Sequence, residues 1–234
     1  MKLLFILILY CTNIFAQDND KIDIINANYT FANSKKHPDY WRLVGDVSFK
    51  HNNTIMFCDS AYHFIEEQKI KAFGKIKIMQ GDSILLKGEK LTYLGNDKKA
   101  NIIGNVSFQD NYMLLKTGEL TYNLNLNIAS YPNKGEIFDN DKKIKSEKGL
   151  YYANINKFIF IDSVRVFAND YNIITNNMQY NSISECVYFY GPSFIILEKS
   201  TIYCENGWYN TKTDIAQFNE NNYITQQQYQ IKGD

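Results

Sequence analysis

Histidines are the residues in this chain whose type most often binds metals or moves protons. They are His37, His51 and His63, and none has a Cys, Asp or Glu at a ligand spacing that recurs along the chain. Nucleophilic chemistry has as little support, because Asp59 and Asp82 each precede a serine without a paired histidine near them. The sequence therefore predicts no metal site and no catalytic residue.

Two glutamates, Glu89 and Glu119, occupy the same place in successive copies of a repeated unit. A charge that recurs by periodicity is more typical of a solvated outer face than of an acid and base pair. The sequence also has no glycine-rich loop of the kind that cradles phosphate. We therefore expect no enzymatic activity and no cofactor.

The first 16 residues have the features of a secretory signal peptide. One lysine precedes an apolar run from Leu3 to Tyr10, and the small residue Ala16 follows. The run is too short to span a bilayer. A lipoprotein site at Cys11 is an alternative, but the bulky Tyr10 before it fits poorly. We expect cleavage after Ala16 and export of residues 17–234 to the periplasm as one domain, either free or associated with the outer membrane.

The mature chain then keeps three cysteines, an odd number that allows at most one disulfide. Cys58 and Cys204 occupy similar places in distant repeats, so a regular stack would hold them apart. Cys186 with Cys204 is the plausible pair. The alternative, which we favour, is that all three are small buried hydrophobic side chains.

The composition favours strands and gives no net charge. The chain contains 18 tyrosines and 15 phenylalanines but 3 prolines, a composition typical of β-structure. Lys+Arg and Asp+Glu are 25 each. No basic surplus attracts nucleic acid, so we expect none as a partner.

Tyrosines spaced 29 residues apart organise the mature chain. They are Tyr93, Tyr122, Tyr151, Tyr180 and Tyr209. A second position follows 11 residues later, at Gly104, Asp162 and Gly191, with Gly135 in a looser place. The segments Val44 to Phe49 and Ile103 to Phe108 are nearly identical. This period predicts a stack of about six repeats of short antiparallel strands, clearest over residues 40–220.

Alternation of apolar and polar residues predicts which side chains face inward. In the unit around Tyr122, Leu120 and Tyr122 share one face, and Glu119 and Thr121 share the other. Charged side chains cannot cheaply face an apolar interior, so the leucine and tyrosine face is the inner one. The predicted inner, lipid-binding residues are Val47, Phe49, Ile76, Ile78, Leu91, Tyr93, Val106, Phe108, Leu120, Tyr122, Val164, Met178 and Tyr180.

Other segments have less regular patterns. A first strand is predicted at Ile22 to Tyr29. The segments Val187 to Tyr190 and Phe194 to Leu197 are apolar on both faces, as in strands covered on both sides or in a surface that another body covers. A turn is predicted between them at Gly191 and Pro192.

Several motifs together resemble the OstA-like family. They are the leader, the G-[DN]-V-x-F units at Gly45 and Gly104, the T-x-x-L-x-Y unit at Thr117, and the closing G-W-Y-N-T at Gly207. That family is related to the periplasmic lipopolysaccharide-bridge protein LptA and to the N-terminal domain of LptD. Its members are often considerably longer than this chain.

The resemblance implies an open β-jellyroll, or folded "taco", whose apolar groove shelters the acyl chains of lipopolysaccharide or a related envelope lipid. It also implies partners that are β-jellyroll transport proteins, joined by pairing of strand edges, and head-to-tail oligomers. Because the repeats continue almost to the C-terminus without a cap, we expect the exposed edge at Ile215 to Ile224.

Two other classes remain open at this point. A structural or adhesive surface β-solenoid would have the same repeats around a filled core. A small outer-membrane β-barrel would also alternate apolar and polar residues, but its strands need ~9–11 residues, longer than most alternating segments here.

Overall fold

The computed structural model describes residues 21–33, 37–219, 221–226 and 229–233. Nearly all of these residues lie in β-strands, and the helical segment among them is the 3-10 turn Ala153–Ile155. No helix in these ranges is long and apolar enough to cross a membrane. The expected all-β, jellyroll-like fold is therefore confirmed. The predicted signal peptide, residues 1–16, lies outside the described residues.

The described strands belong to one sheet and follow each other through short connections. In chain order they are β1 (Asp23–Asn26), β2 (Tyr29–Asn33), β3 (His37–His51), β4 (Thr54–Phe64), β5 (Lys69–Gln80), β6 (Ile84–Leu94), β7 (Lys99–Gln109), β8 (Leu114–Asn123), β9 (Ile128–Tyr131), β10 (Gly135–Asp139), β11 (Lys142–Ser146), β12 (Lys148–Tyr152), β13 (Lys157–Phe167), β14 (Tyr171–Asn181), β15 (Cys186–Leu197), β16 (Ser200–Asn210), β17 (Ile215–Asn219), β18 (Asn222–Gln226) and β19 (Tyr229–Gly233).

Strand order in space follows strand order in the chain. From β3 to β8 and from β13 to β16, each strand pairs antiparallel with the next. Between these groups, β9 and β10 share one place in the sheet, and β11 and β12 share the next. Each 29-residue repeat is thus one hairpin, which confirms the predicted stack of repeats.

A corner bends alternate strands near their middle. There the pairing register shifts, and two residues face a single residue of the next strand. At Gly104 φ is 88°, a conformation that glycine adopts without the steric cost of a Cβ. The corners, all at positive φ, lie at Gly45 and Asp46, Gly74 and Lys75, Gly104 and Asn105, Asp162 and Ser163, and Gly191. They fold the sheet into two layers around one interior, and they explain the similarity between residues 44–49 and 103–108.

The strands are longer than their alternating patterns indicate, because two short segments join through each corner. Val187 to Tyr190 and Phe194 to Leu197 are the two halves of β15. The turn predicted at Gly191 and Pro192 was therefore wrong, since these residues form the corner of β15. The outer face of both halves is not covered within the described structure, because Tyr188 is 42% and Phe194 38% exposed. Of the two expected explanations, a surface that another body covers stays a prediction.

Gly135 has a different role from the corner glycines. In this hairpin the chain leaves the sheet at residues 132–134, between β9 and β10. The ring of Tyr131 lies where a Cβ on either Gly135 or Gly149 would project. The Tyr131 hydroxyl lies 2.5 Å from Ser146 Oγ, and burial raises the pKa of Tyr131 to about 12. Both glycines are therefore required by a close approach of this ring.

The N-terminal strand is shorter than predicted. The segment forms two strands, β1 and β2, which pair with the two halves of β3. Ile22 precedes β1, is 5% exposed, and donates its backbone N–H to Gln68 Oε1 at 2.9 Å. Ile22 thus covers one end of the interior.

The edge predicted at Ile215 to Ile224 differs from the observed edge. Both β17 and β18 pair with β16, but β18 is covered on its other side by β19. Within the described ranges, β17 and β19 each pair on one side only. The prediction was right for β17 and wrong for β18, because the chain turns back once more.

The three cysteines are free thiols. Cys58 and Cys204 are buried, and burial raises the pKa of each to about 12. Cys186 is half-buried and accepts a hydrogen bond from the side chain of Asn210 at 3.3 Å. The favoured interpretation, three buried thiols without a disulfide, is therefore right for Cys58 and Cys204, whereas Cys186 is free but not fully buried.

Candidate functional site

The two layers enclose one apolar interior, and every predicted inner residue lies in it. Each of the thirteen is 3% exposed or less, and all belong to one cluster of buried side chains. They come from both halves of the bent hairpins, at Val47, Phe49, Ile76, Ile78, Leu91, Tyr93, Val106, Phe108, Leu120, Tyr122, Val164, Met178 and Tyr180. The inward orientation predicted from alternation is therefore correct, while contact with a lipid stays a prediction.

The segment 119–122 shows the alternation most clearly. Leu120 and Tyr122 are fully buried, and Glu119 and Thr121 face the other side. The carboxylate of Glu119 accepts a hydrogen bond from Asn101 Nδ2 at 3.0 Å, and Asn101 Nδ2 also reaches Thr121 Oγ1 at 3.3 Å. A polar outer face and an apolar inner face thus lie on opposite sides of one strand.

Aromatic rings fill the middle of the interior. The ring of Phe108 lies 5.3 Å from that of Tyr122 and 6.0 Å from that of Tyr151, measured between centroids. Tyr151 in turn stacks on Phe158 at 4.2 Å. An acyl chain can occupy this region only if the rings move or the layers separate.

The two rows of hairpin turns meet along one side of the sheet, which we call the mouth. One row comprises residues 51–54, 80–84, 109–114, 139–142, 167–171 and 197–200, and the other comprises 64–69, 94–99, 123–128, 152–157, 181–186 and 210–215. The repeated tyrosines join the rows. Their hydroxyls pair with side chains across the mouth: Tyr93 with His51 (2.6 Å), Tyr122 with Gln80 (2.7 Å), Tyr151 with Asp110 (2.5 Å) and Tyr180 with Asp139 (2.8 Å).

These partners were missed by the sequence analysis, although a signal was present. His51, Gln80, Asp110 and Asp139 lie 41 or 42 residues before their tyrosines. The polar position therefore repeats with nearly the same period as the tyrosine. Because its side-chain chemistry changes from one repeat to the next, a search for identical residues does not find it.

A buried ion pair adds to the closure of the mouth. Lys142 is 8% exposed and lies 3.1 Å from Glu185 Oε2 and 3.5 Å from Asp141 Oδ1. The pKa of Lys142 is raised, because its hydrogen bond to Glu185 and nearby negative charges outweigh the opposing effect of burial. Burial raises the pKa of Asp139, an effect that the hydrogen bond from Tyr180 partly offsets.

The closure changes at the last repeat. The hydroxyl of Tyr209 donates to Asp214 Oδ1 in its own turn, at 2.7 Å, while its ring contacts that of Tyr171 across the mouth, at 6.0 Å between centroids. Beyond it, Ile202 and Phe218 are only partly buried, and Ile215 is 59% exposed. The C-terminal end is therefore where the interior is least enclosed.

The potential catalytic groups are dispersed. No group of three or more His, Cys, Asp or Glu in the described part of the chain is placed to hold a metal. Asp59 lies 3.6 Å from Lys75 at the surface, and Glu89 accepts a hydrogen bond from Asn105 at 2.5 Å. His63 is buried against Phe49, and this burial lowers its pKa. These positions agree with a solvated or packing role for each.

Comparisons with known proteins identify one family. A family model described as "OstA-like protein" matches residues 19–176 and 171–234. No curated protein matches the chain. Among solved structures, the chain is similar to LptH from Pseudomonas aeruginosa, described as the LptA homologous periplasmic component of the conserved lipopolysaccharide transport device. The identity is 13% and the TM-score 0.26, over 59% of this chain and 82% of that one. A likeness this low carries no argument about this chain.

Proposed function

The chain belongs to the family of OstA-like proteins, and on this premise we propose that it binds the acyl chains of lipopolysaccharide, or a related envelope lipid, in its interior during transport through the periplasm. The observation that carries the proposal is the single apolar interior between two layers, whose long side is closed by hydrogen bonds of polar side chains rather than by the sheet itself. Such a role needs no catalytic group.

The energetics of alkyl burial support this role. Each methylene removed from water contributes about 0.8 kcal/mol, so one twelve-carbon chain contributes on the order of 10 kcal/mol before the entropy of binding is subtracted. The rings of Phe108, Tyr122 and Tyr151 are packed against one another, so the layers must separate to admit an acyl chain. Part of the free energy of alkyl burial offsets the cost of that separation. We infer that lipid enters at the C-terminal end, where Ile202 and Phe218 are already partly exposed.

Photo-crosslinking at four consecutive positions tests lipid binding. A crosslinking amino acid is placed singly at residues 119, 120, 121 and 122, and the purified protein is irradiated with lipopolysaccharide. We expect lipid adducts from Leu120 and Tyr122, which face the interior, and none from Glu119 and Thr121, which face outward. Circular dichroism of each variant verifies that it is folded, and a fifth variant at the half-buried Phe218 keeps the test valid if the buried sites disturb packing.

A second candidate function is that of a structural β-solenoid. The observation that favours it is the close packing of the interior, where Leu120 and Tyr122 are fully buried. A ligand-free core would give no adduct at any of the five positions. Adducts of equal strength at all positions would indicate a surface that binds lipid without selectivity, and either result would refute the proposed interior site.

We also propose that the protein associates end to end with other β-jellyroll proteins or with copies of itself. The unpaired side of β17 supports this, since an exposed strand edge offers free backbone N–H and C=O groups. Light scattering over a concentration series should show growth beyond the monomer. Ala216→Pro, placed in β17, should reduce that growth. Glu66→Pro should not, because Glu66 is exposed at the second position of the turn 65–68, far from this edge, where proline is tolerated. A strict monomer that recovers no jellyroll partner in pull-downs would contradict the proposal.

A further inference from the structure

A row of basic side chains crosses the outer face of one layer. It contains Lys77, Lys87, Lys116, Lys145 and Arg165, and we call it the basic row. Strand pairing places these residues side by side from β5 to β13: Lys77 opposite Lys87, Lys87 and Lys116 on either side of Ser107, Lys116 and Lys145 on either side of Glu136, and Lys145 opposite Arg165.

Every member of the basic row points away from the interior. Lys77 lies between the buried residues Ile76 and Ile78, and Arg165 lies between the buried Val164 and Val166. Alternation along a strand therefore fixes their side chains on the outer face.

The charges of the row are poorly compensated within the protein. Glu136, between Lys116 and Lys145, is the single acid along the line of the basic row. Its carboxylate pairs with Lys145 at 2.8 Å and with Lys143 at 3.0 Å, and these hydrogen bonds lower the pKa of Glu136. In the described structure no carboxylate lies within ion-pair distance of Lys77, Lys87, Lys116 or Arg165. Like charges directly opposite one another destabilise a sheet, so the Lys77 and Lys87 pair destabilises the folded state, and no ion pair in the described structure offsets this effect.

Aromatic side chains lie among these cations on the same face. The Lys77 ammonium lies 5.6 Å from the ring centre of Phe57, and the Lys116 ammonium lies 5.3 Å from that of Phe138. Phe57 is 37% and Phe167 43% exposed. Aromatic rings beside long basic side chains are typical of surfaces that meet the boundary between water and lipid.

The equivalent row on the other layer has a different composition. From β5 to β14 it is Lys71, Thr92, Asn101, Thr121, Ser130, Leu150, Ile159 and Gln179. This second row contains one basic residue, compared with five in the basic row. The net charge of the whole chain is +0, so the basic row is a property of one face and not of the composition.

We propose that the basic row binds the anionic headgroups of a phospholipid membrane, so that this layer lies flat on the membrane surface. The row crosses seven strand positions, a length of about 29 Å at a strand spacing of about 4.8 Å. Charges spread along such a line do not converge on one small anion, but they match a surface that presents many negative headgroups. Each basic residue near such a surface adds to the attraction, and salt weakens it.

Vesicle binding tests this proposal with two variants of equal charge. One replaces four unpaired members of the row, Lys77→Gln, Lys87→Gln, Lys116→Gln and Arg165→Gln. The control replaces four lysines on the other layer and its turns, Lys71→Gln, Lys99→Gln, Lys157→Gln and Lys212→Gln. Binding is measured by co-sedimentation with vesicles of phosphatidylcholine that contain about 30% phosphatidylglycerol, at low salt.

We expect the unaltered protein to bind these vesicles and not pure phosphatidylcholine. The row variant should bind on the order of 100-fold more weakly, and the control within about threefold of the unaltered protein. Equal losses in both variants would show that net charge alone matters, and no binding by the unaltered protein would exclude the membrane as partner. Displacement by inorganic phosphate at constant ionic strength would indicate a site for one anion; each of these three results overturns the proposal. The vesicles contain no lipopolysaccharide, so the outcome is independent of binding in the interior.

Discussion

Replacing Gly149 by leucine should lower the free energy of unfolding by about 3 kcal/mol, although three of the other repeats have leucine or methionine at this position. Leu91 and Leu120 fill the interior there, whereas at Gly149 the ring of Tyr131 already occupies the space of a Cβ. A larger side chain must therefore displace a buried aromatic ring. Urea unfolding followed by circular dichroism measures the effect.

A double-mutant cycle separates this clash from a general cost of altering a glycine. Tyr131→Ala alone leaves a cavity, and adding Gly149→Leu to it should restore stability, because the leucine fills the vacated space. Gly118→Leu is the matched control, since a Cβ at Gly118 would meet no atom within 4 Å. Equal losses from the substitutions at 149 and 118, or additive effects in the cycle, would show that Tyr131 does not determine the choice of glycine.

Tyr180→Phe should destabilise the protein by about 2 kcal/mol at neutral pH, because it removes the hydroxyl that donates to a buried carboxylate. Asp139 is 1% exposed, and its Oδ2 accepts this hydrogen bond at 2.8 Å. The remaining side-chain donor to Asp139 in the described structure is Asn140, at 3.1 Å from Oδ1. Tyr203→Phe is the control, because Tyr203 donates to Glu205 at a solvated site and its loss should change stability little.

The effect of Tyr180→Phe should depend on pH in a direction that the structure fixes. Burial raises the pKa of Asp139 above its ordinary value of 3.8. At pH values between 3.8 and the folded-state pKa, the folded state therefore holds a proton that the unfolded state has released. Stability conferred by that proton is lost as pH rises through the folded-state pKa. Without the Tyr180 hydroxyl the pKa of Asp139 rises further. The penalty of Tyr180→Phe should therefore be largest at neutral pH and shrink as the pH falls towards 3.8. Unfolding free energies that give the same penalty from acidic to neutral pH would contradict this account.

Alternation predicted the inner face correctly within straight segments but could not predict how the segments join. On β8, Leu115 and Leu120 both point inward although they are five residues apart. The alternation shifts by one residue there, because the strand passes the corner of β7 at Gly104 and Asn105. Both halves look like ordinary strands in the sequence. The bend itself arises from positive φ at two residues. The residue type predicts this conformation at Gly104, because glycine adopts positive φ readily, but does not predict it at Asp162.

The sequence also separates features that the fold brings together. Lysines alternating with apolar residues near Lys75 and Lys77 indicate an outer face, but not which residue of the next strand is opposite. That choice depends on register, which a corner changes midway along each hairpin. Likewise, the partners of Tyr122 and Tyr180 across the mouth lie more than one repeat away. Long-range pairing of this kind follows from the fold, not from local propensity.

Strand order has a consequence for how the chain folds. Throughout the described residues, hydrogen-bonded strands are at most three positions apart in strand order, and most are consecutive. The tyrosine bonds across the mouth reach back 42 residues at most. Short chain closures lose little entropy, and local contacts favour rapid folding even in an all-β protein. Folding can therefore begin at any hairpin and extend along the stack in either direction. Unfolding should begin at β16 to β18, because few residues of these strands are buried and fewer apolar contacts hold the layers together there.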